Sequence, residues 1–213
     1  MMINRRVFLF LFTCHAFLFC LSQHPEILSN EGWELQKEKY DVEVYGKEIS
    51  GYEIKAFKAT GLIDASVESV YKVVMDIEGY TEWYPNCKIG EVLDEPNELE
   101  QFRRIEFKLP WPFDNRDAVN KLVAKKMPDS IWIDIINEAD YLPKSKKVYR
   151  VGRTEGFWEI VKENDQQTRL TYSAIGEPGG LPNWIVNFFL FDSPLDAINN
   201  IREVVQKPEY SED

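Results

Sequence analysis

The chain has 213 residues, of which 44% are hydrophobic and 14% aromatic, and this composition excludes a disordered polypeptide. Its formal net charge of -11 at pH 7 excludes the basic surface on which nucleic-acid binding depends. The two histidines, His15 and His24, precede the predicted folded domain, so we expect no histidine-based triad or imidazole metal site. No cofactor is therefore expected, and no nucleic-acid partner.

The first 22 residues have the pattern of a secretory signal peptide. Two arginines precede an almost unbroken apolar run over residues 7–21, and Ser22 offers a small residue for cleavage. The sequence thus predicts export to a periplasmic or extracellular space. The alternatives are lipidation at Cys20 and an uncleaved anchor. Removal of the signal leaves Cys87 as the single cysteine, so no internal disulfide is expected.

The remaining chain is predicted to form one domain. Residues 23–30 are expected to be a linker, residues 31–207 the domain, and residues 208–213 a polar, frayed tail. Ser29 and Asn30 are predicted to cap a helix over residues 31–39. Alternating apolar residues and turn signals predict strands at residues 40–45, 52–63, 87–93, 99–109, 117–126, 130–136, 150–161 and 168–175.

Two helices are predicted between the second and third of these strands. One covers residues 67–75 and is capped by Asp64 and Ser66, and a shorter one ends before Pro85. The later strands follow one another without helices, which indicates antiparallel hairpins.

The C-terminal stretch is predicted to be one long amphipathic helix over residues 182–205, after a turn rich in glycine and proline. Pro194 is expected to kink it. Polar and charged residues interrupt the apolar run too often for a membrane span, so we expect the helix to pack against the sheet. The apolar stripe comprises Trp184, Ile185, Phe188, Phe191, Leu195, Ile198, Ile201 and Val205.

Five segments in order along the domain resemble the START lipid-transfer family. They are residues 33–35 with 44–45, residues 53–56, residues 80–87, residues 109–112 with 116–117, and residues 177–184 with Asn187. The resemblance implies an α+β helix-grip fold, in which a curved antiparallel sheet wraps around the long C-terminal helix. It also implies that one lipid, sterol or fatty acid is held in a tunnel between sheet and helix.

Under this resemblance, inward-facing aromatic residues are the candidate ligand-binding residues, although the same residues would also build a solid core. Arg116 is the candidate partner of a polar head group, because guanidinium binds carboxylate, phosphate or hydroxyl oxygens. An ion pair with Glu106 or Asp134 that only stabilises the fold is the alternative. The aromatic candidates are Phe107, Trp132, Trp158 and Tyr172 on the strands and Trp184, Phe188 and Phe191 on the helix.

Trp111 and Phe113 lie on a proline-rich loop before Arg116 and are candidate portal residues. Exposed aromatic side chains beside a cavity mouth would enter a membrane transiently during loading. Folding of both side chains back onto the core is the alternative.

The predicted function is non-catalytic binding of one hydrophobic ligand by a monomer, with transfer, sensing and storage left open. A cyclase or aromatase of the same superfold is one alternative, and it would need Glu106, Asp134 or Tyr172 as a general base. An envelope interaction protein with a vestigial cavity is another. Cys87 is expected to be a buried apolar residue rather than a nucleophile.

Overall fold

The computed structural model describes residues 25–211. The predicted signal peptide, with its cleavage and lipidation sites, lies outside these residues. The elements in chain order are α1 (Pro25–Leu28), β1 (Glu34–Lys39), β2 (Val42–Lys47), β3 (Ala56–Ile63), α2 (Val67–Met75), α3 (Tyr80–Trp83), β4 (Cys87–Asn97), β5 (Glu100–Phe107), β6 (Asn115–Met127), β7 (Ser130–Asn137), β8 (Val148–Arg150), β9 (Thr154–Lys162), β10 (Thr168–Gly176), α4 (Asn183–Asn187), a π-helical turn (Phe188–Asp192), α5 (Ser193–Val204) and a 3₁₀ turn (Pro208–Tyr210).

The strands form one sheet in the order β1-β2-β3-β10-β9-β7-β6-β5-β4, and every neighbouring pair on this path is antiparallel. The short strand β8 joins β6 in parallel. Helix α5 packs against β2 and β3 on the inner face of the sheet. The predicted α+β helix-grip fold is therefore confirmed. Within residues 25–211, no helix combines the length and apolar character needed to cross a membrane.

Helix α2 has the predicted bounds because its signals are local. The Ser66 hydroxyl accepts a hydrogen bond from the Ser69 backbone N–H at 3.2 Å, which satisfies one of the free donors of the first turn. Val70, Val73 and Val74 recur at helical spacing and are fully buried. The apolar face of this helix thus closes one end of the core.

The predicted helix over residues 31–39 is wrong, because residues 34–39 form the edge strand β1. Tyr40 and Asp41 both adopt positive φ angles, of 56° and 54°, and make the tight turn that leads into β2. Pairing with β2 then supplies backbone hydrogen-bond partners that outweigh the helical propensity of this polar segment.

The predicted linker and tail are both packed on the domain. Ile27 of α1 is 1% exposed and contacts a small core formed with Ile49, Ala56 and Ile175. At the other end Tyr210 is buried and donates a hydrogen bond from its hydroxyl to Asp76 Oδ2 at 2.6 Å. The expected fraying of the tail is therefore wrong for residues 208–211, since one buried aromatic side chain anchors them.

The C-terminal helix is interrupted rather than only kinked. The Ser193 N–H donates to the Phe188 carbonyl, five residues back, which defines the π-helical turn. Pro194 follows at once and stands in the first turn of α5, where its missing N–H is tolerated. The π turn holds one residue more than an α turn and therefore shifts the inward-facing stripe of the preceding segment.

Candidate functional site

Two adjoining chambers lie between the inner face of the sheet and the segment that precedes α5. The outer chamber measures about 140 Å³ and the inner chamber about 60 Å³. They share a wall formed by Tyr84, Phe107, Ala118, Thr154, Tyr172 and Ala174. The two chambers therefore form a single candidate site inside the grip of the sheet.

The outer chamber is mainly apolar, and its roof comes from the C-terminal segment. Phe189 and Leu190 of the π turn form part of this roof, together with Pro178 and Leu181 of the loop after β10. The Phe189 ring packs edge-on against the Phe107 ring, with centroids 5.6 Å apart. An apolar ligand in this chamber would contact aromatic and aliphatic side chains on both sides.

The inner chamber contains a buried arginine. Arg103 of β5 is 6% exposed, and its Nη1 donates to the Val74 carbonyl at 3.2 Å and to the Tyr80 hydroxyl at 3.1 Å. Its Nε has no hydrogen-bond partner among the described residues. Arg103 was not predicted as a site residue, although the Arg103-Arg104 pair on a strand requires one of the two to face inward.

Neutral hydroxyl groups surround this arginine. Burial raises the pKa of Tyr80 to about 12, although Arg103 acts in the opposite direction. Burial likewise raises the pKa values of Tyr84 and Tyr172, whose hydroxyl oxygens lie 3.5 Å apart. These tyrosines thus remain protonated near neutral pH and offer hydroxyl groups to a ligand rather than negative charge.

Arg116 lies at the mouth of the outer chamber and does not reach the inner chamber. Its Nε donates to the Pro178 carbonyl at 2.7 Å, its Nη1 donates to the Asp114 carbonyl at 2.6 Å, and its guanidinium lies 4.6 Å from the centre of the Tyr149 ring. Arg116 thereby ties the loop before α4 to the loop before β6. The predicted alternative of an ion pair with Glu106 or Asp134 is wrong, and ligand contact remains a prediction.

The neighbouring Asp117 faces the outer side of the sheet, as strand alternation requires. Its carboxylate pairs with Arg104 Nε and Arg150 Nε, each at 2.8 Å, and is 2% exposed. Within the Arg-Asp pair of β6, the aspartate therefore belongs to a buried ion-pair network and the arginine to the chamber mouth.

The sequence profile of the family described as polyketide cyclase / dehydrase and lipid transport matches residues 63–202. The chain belongs to this family. An uncharacterized protein of Pseudomonas aeruginosa is 28% identical over 179 residues, which cover 83% of this chain and 88% of the relative. The profile match runs from the end of β3 into α5, and it includes β4–β10 and the segment that closes the chambers.

Solved structures place the chain among START domains. A STAR-related lipid transfer protein from Xanthomonas axonopodis aligns with a TM-score of 0.76 at 27% identity, over 83% of this chain and 100% of that one. The human StAR-related lipid transfer protein 5 aligns with a TM-score of 0.74 at 17% identity, over 84% of this chain and 88% of that one, and shows the shared fold. The predicted START resemblance is thereby confirmed.

Among the predicted strand aromatics of this START domain, Phe107 and Tyr172 line both chambers. Trp158 is fully buried and stacks on its cross-strand partner Tyr172, with ring centroids 3.8 Å apart, so it supports the chamber wall from the side without lining it. Trp132 lies on the opposite face, where it stacks on Phe157 at 4.2 Å. Its assignment as a ligand-binding residue is wrong, because the alternating isoleucines of β7 occupy the inner positions.

The three aromatic residues predicted on the C-terminal helix to contact the ligand do not line either chamber. Trp184 is 62% exposed, and Phe188 lines an outer groove beside it. Phe191 packs toward Gly46 of β2. Because the π turn shifts the stripe, Phe189 and Leu190 occupy the positions predicted for Phe188 and Phe191.

The two portal candidates differ in exposure. Trp111 is 93% exposed, whereas Phe113 is half-buried. An outer groove lined by Leu109, Pro110 and Phe189, among others, lies beside the loop that carries them. Phe189 also lines the outer chamber, so the groove adjoins it. The portal role of Trp111 and Phe113 remains a prediction.

Of the three general bases that the cyclase alternative considers, Tyr172 lines both chambers, whereas Glu106 and Asp134 line neither. Glu106 accepts hydrogen bonds from Lys88 and Asn115, and Asp134 accepts one from Lys125, all outside the cavity walls. In the described part of the chain, neither chamber is lined by an aspartate, glutamate or histidine. Burial raises the pKa of the Cys87 thiol to about 11, which disfavours a nucleophilic thiolate.

Proposed function

We propose that this START domain binds one hydrophobic ligand in the two adjoining chambers and performs no chemistry on it. The observation that carries the proposal is the arrangement of an apolar outer chamber under Phe189 and Leu190 with an inner chamber into which Arg103 and tyrosine hydroxyls bring polar groups. Such a cavity, apolar with a few convergent polar groups, suits an amphiphilic ligand. The similarity to the STAR-related lipid transfer protein of Xanthomonas supports the same assignment.

The chambers are small for a whole lipid, so loading requires the roof to move. Their volumes of about 140 and about 60 Å³ lie below the roughly 300–1,000 Å³ of common ligand pockets. The π turn is the natural place for that movement, because it interrupts the regular helical hydrogen bonds just before Pro194. Burying roughly 300 Å² of ligand surface contributes about 7 kcal/mol, which offsets the opening and ordering costs.

The absence of chemistry is supported by the lining of the chambers. Among residues 25–211, the groups that face a ligand are apolar side chains, neutral hydroxyls, an amide and two arginines. Tyr172 is a poor general base, because burial raises its pKa and keeps it protonated. The same residues would hold a ligand without activating it.

We extend the proposal to membrane contact and export. Trp111, almost fully exposed beside the outer groove, would enter a lipid surface while the ligand passes Phe189. Transfer between membranes would follow from such contact. The signal-like residues 1–22 would direct the chain out of the cytoplasm, and we propose cleavage after Ser22.

Native mass spectrometry of the protein purified from its own host tests this proposal. We expect one lipid per chain, identified after organic extraction, and a protein mass that begins at residue 23. A mass that includes a lipid on Cys20 would replace the cleavage site by an anchor. A protein that is empty and takes up no sterol, fatty acid or phospholipid would overturn the binding function, and an oligomer at low concentration would then favour the partner-contact alternative.

A further inference from the structure

Strand β5 carries two successive arginines that have opposite environments. Arg104 faces outward and pairs with Glu106 and Asp117. Arg103 faces inward, and no described carboxylate lies within the 4.0 Å range of an ion pair. A guanidinium remains charged in proteins, and a buried charge without a counterion is unfavourable. The inner chamber therefore holds a positive charge that the fold itself does not neutralise.

Hydrogen-bonding groups in the same chamber are also incompletely used. Within residues 25–211, Arg103 Nε has no hydrogen-bond partner, and neither has the buried Thr154 Oγ1. The Asn120 amide reaches the Thr154 carbonyl only at 3.4 Å. Arg103, Asn120 and Thr154 all line the inner chamber. Donors thus converge on a space of about 60 Å³ beside an unneutralised cation.

The shape of the site restricts which anion fits. Tyr80 and Ile135 line the inner chamber but not the outer one, whereas six other residues of the inner chamber are shared with the apolar outer chamber. A phosphodiester carries a substituent on each side of the phosphate, and a chamber of about 60 Å³ has no room for the second substituent. A carboxylate terminates its chain and leaves only an apolar tail to be placed under Phe189 and Leu190.

We propose that the inner chamber binds the carboxylate of a single-chain fatty acid, with Arg103 as its charged partner. The inference rests on the proposed binding function and specifies the ligand class of that site. The acid enters head first, its carboxylate accepts hydrogen bonds from Arg103 Nε and from the Asn120 amide, and its tail fills the outer chamber. The carboxylate supplies the counterion that Arg103 otherwise lacks.

Binding of palmitate and of methyl palmitate to the wild-type protein purified from its own host tests the proposal directly. The two probes have the same tail, but only palmitate carries a charge. A charge-assisted hydrogen bond predicts that palmitate binds roughly 10- to 100-fold more tightly than the ester. With ¹³C-carboxyl palmitate, we also expect the pKa of the bound acid to lie below that of the free acid.

Variants assign the effect to Arg103. In Arg103→Gln, palmitate and methyl palmitate are expected to bind with similar affinity, whereas Arg103→Lys should retain part of the preference. Arg169→Gln removes an exposed arginine that pairs with Glu163, and it should leave the preference unchanged. A non-folding Arg103→Gln leaves the proposal testable, because the comparison of the two probes on the wild-type chain needs no variant.

The outcomes separate this inference from the binding function. Equal affinity of the wild-type chain for palmitate and its methyl ester would overturn the carboxylate site while leaving hydrophobic binding intact. Tight binding of a phosphodiester lipid with no binding of palmitate would also overturn it. Failure of every lipid to saturate the protein would overturn both proposals together.

Discussion

Replacement of Asp117 by asparagine tests whether the buried ion pairs of Asp117 with Arg104 and Arg150, on the outer side of the sheet, stabilise the fold. The carboxylate accepts hydrogen bonds from Arg104 Nε at 2.8 Å and from Arg150 Nε and Nη2 at 2.8 and 2.9 Å. Arg150 also donates to the Ala139 and Leu142 carbonyls, and thereby holds the loop between β7 and β8. The variant would keep the shape of the side chain and remove the charge that both guanidinium groups face.

Breaking a buried ion pair by removing one partner costs about 3–5 kcal/mol. We expect about 3 kcal/mol for Asp117→Asn, at the lower end of that range, because Arg104 retains Glu106 as a second partner. If the free energy of unfolding falls by about 2 kcal/mol per molar urea, the urea concentration at the unfolding midpoint would decrease by about 1.5 M.

Urea unfolding followed by tryptophan fluorescence measures this shift. Asp165→Asn is the matched control, because Asp165 is 93% exposed and pairs with the half-exposed Lys162. Its midpoint should not change measurably. Equal midpoints for the two variants would refute the reasoning, since the buried network would then contribute no more than a surface pair.

Three further experiments follow from the structure. Ala118→Leu fills the wall shared by both chambers and should weaken lipid uptake at least about 10-fold, whereas Ala124→Leu, in packed core on the same strand face, should cost about 1–3 kcal/mol and leave uptake unchanged. Trp111→Glu should reduce cosedimentation with phosphatidylcholine vesicles several-fold. The control Leu35→Glu changes another exposed apolar side chain, 52% exposed against 93% for Trp111, and should not; equal losses would remove the portal assignment. Burial raises the pKa of Asp117, but hydrogen bonds from its two arginines outweigh it and hold the pKa below the usual value. The resulting stability is present above the pKa of unfolded aspartate and is lost as pH falls through the folded value, so between about pH 7 and about pH 3 the urea midpoint should fall more steeply for the wild type than for Asp117→Asn.

Elements with local signals were predictable from the sequence. Helix α2 was predicted with its observed bounds, because Ser66 caps it and Val70, Val73 and Val74 recur at helical spacing. The central strands were also close to their predicted bounds, because residues buried on one face alternate, as in β7. Edge strand β1 was not, because its residues are mostly exposed and polar, and only the pairing with β2 makes it a strand.

The candidate site was less predictable, because it depends on register. The Arg103-Arg104 pair shows that one arginine faces inward, but a shift of one residue in the pairing of β5 would exchange them. Irregularities in the pairing of β4 with β5 have no clear sequence signal. The helix stripe likewise assumed 3.6 residues per turn throughout, and the π turn at residues 188–192 displaced it. The family resemblance therefore located the cavity better than it located the side chains inside it.

The π turn gives this domain an unusual way to change the lining of its cavity. Deleting one residue from Phe188–Asp192 would restore a continuous α-helix and rotate the preceding segment by about 100° relative to α5. Different side chains would then replace Phe189 and Leu190 in the roof, with no change in the sheet. Insertion or loss of a single codon in this segment would thus alter ligand selectivity in one step, where point substitutions would need several.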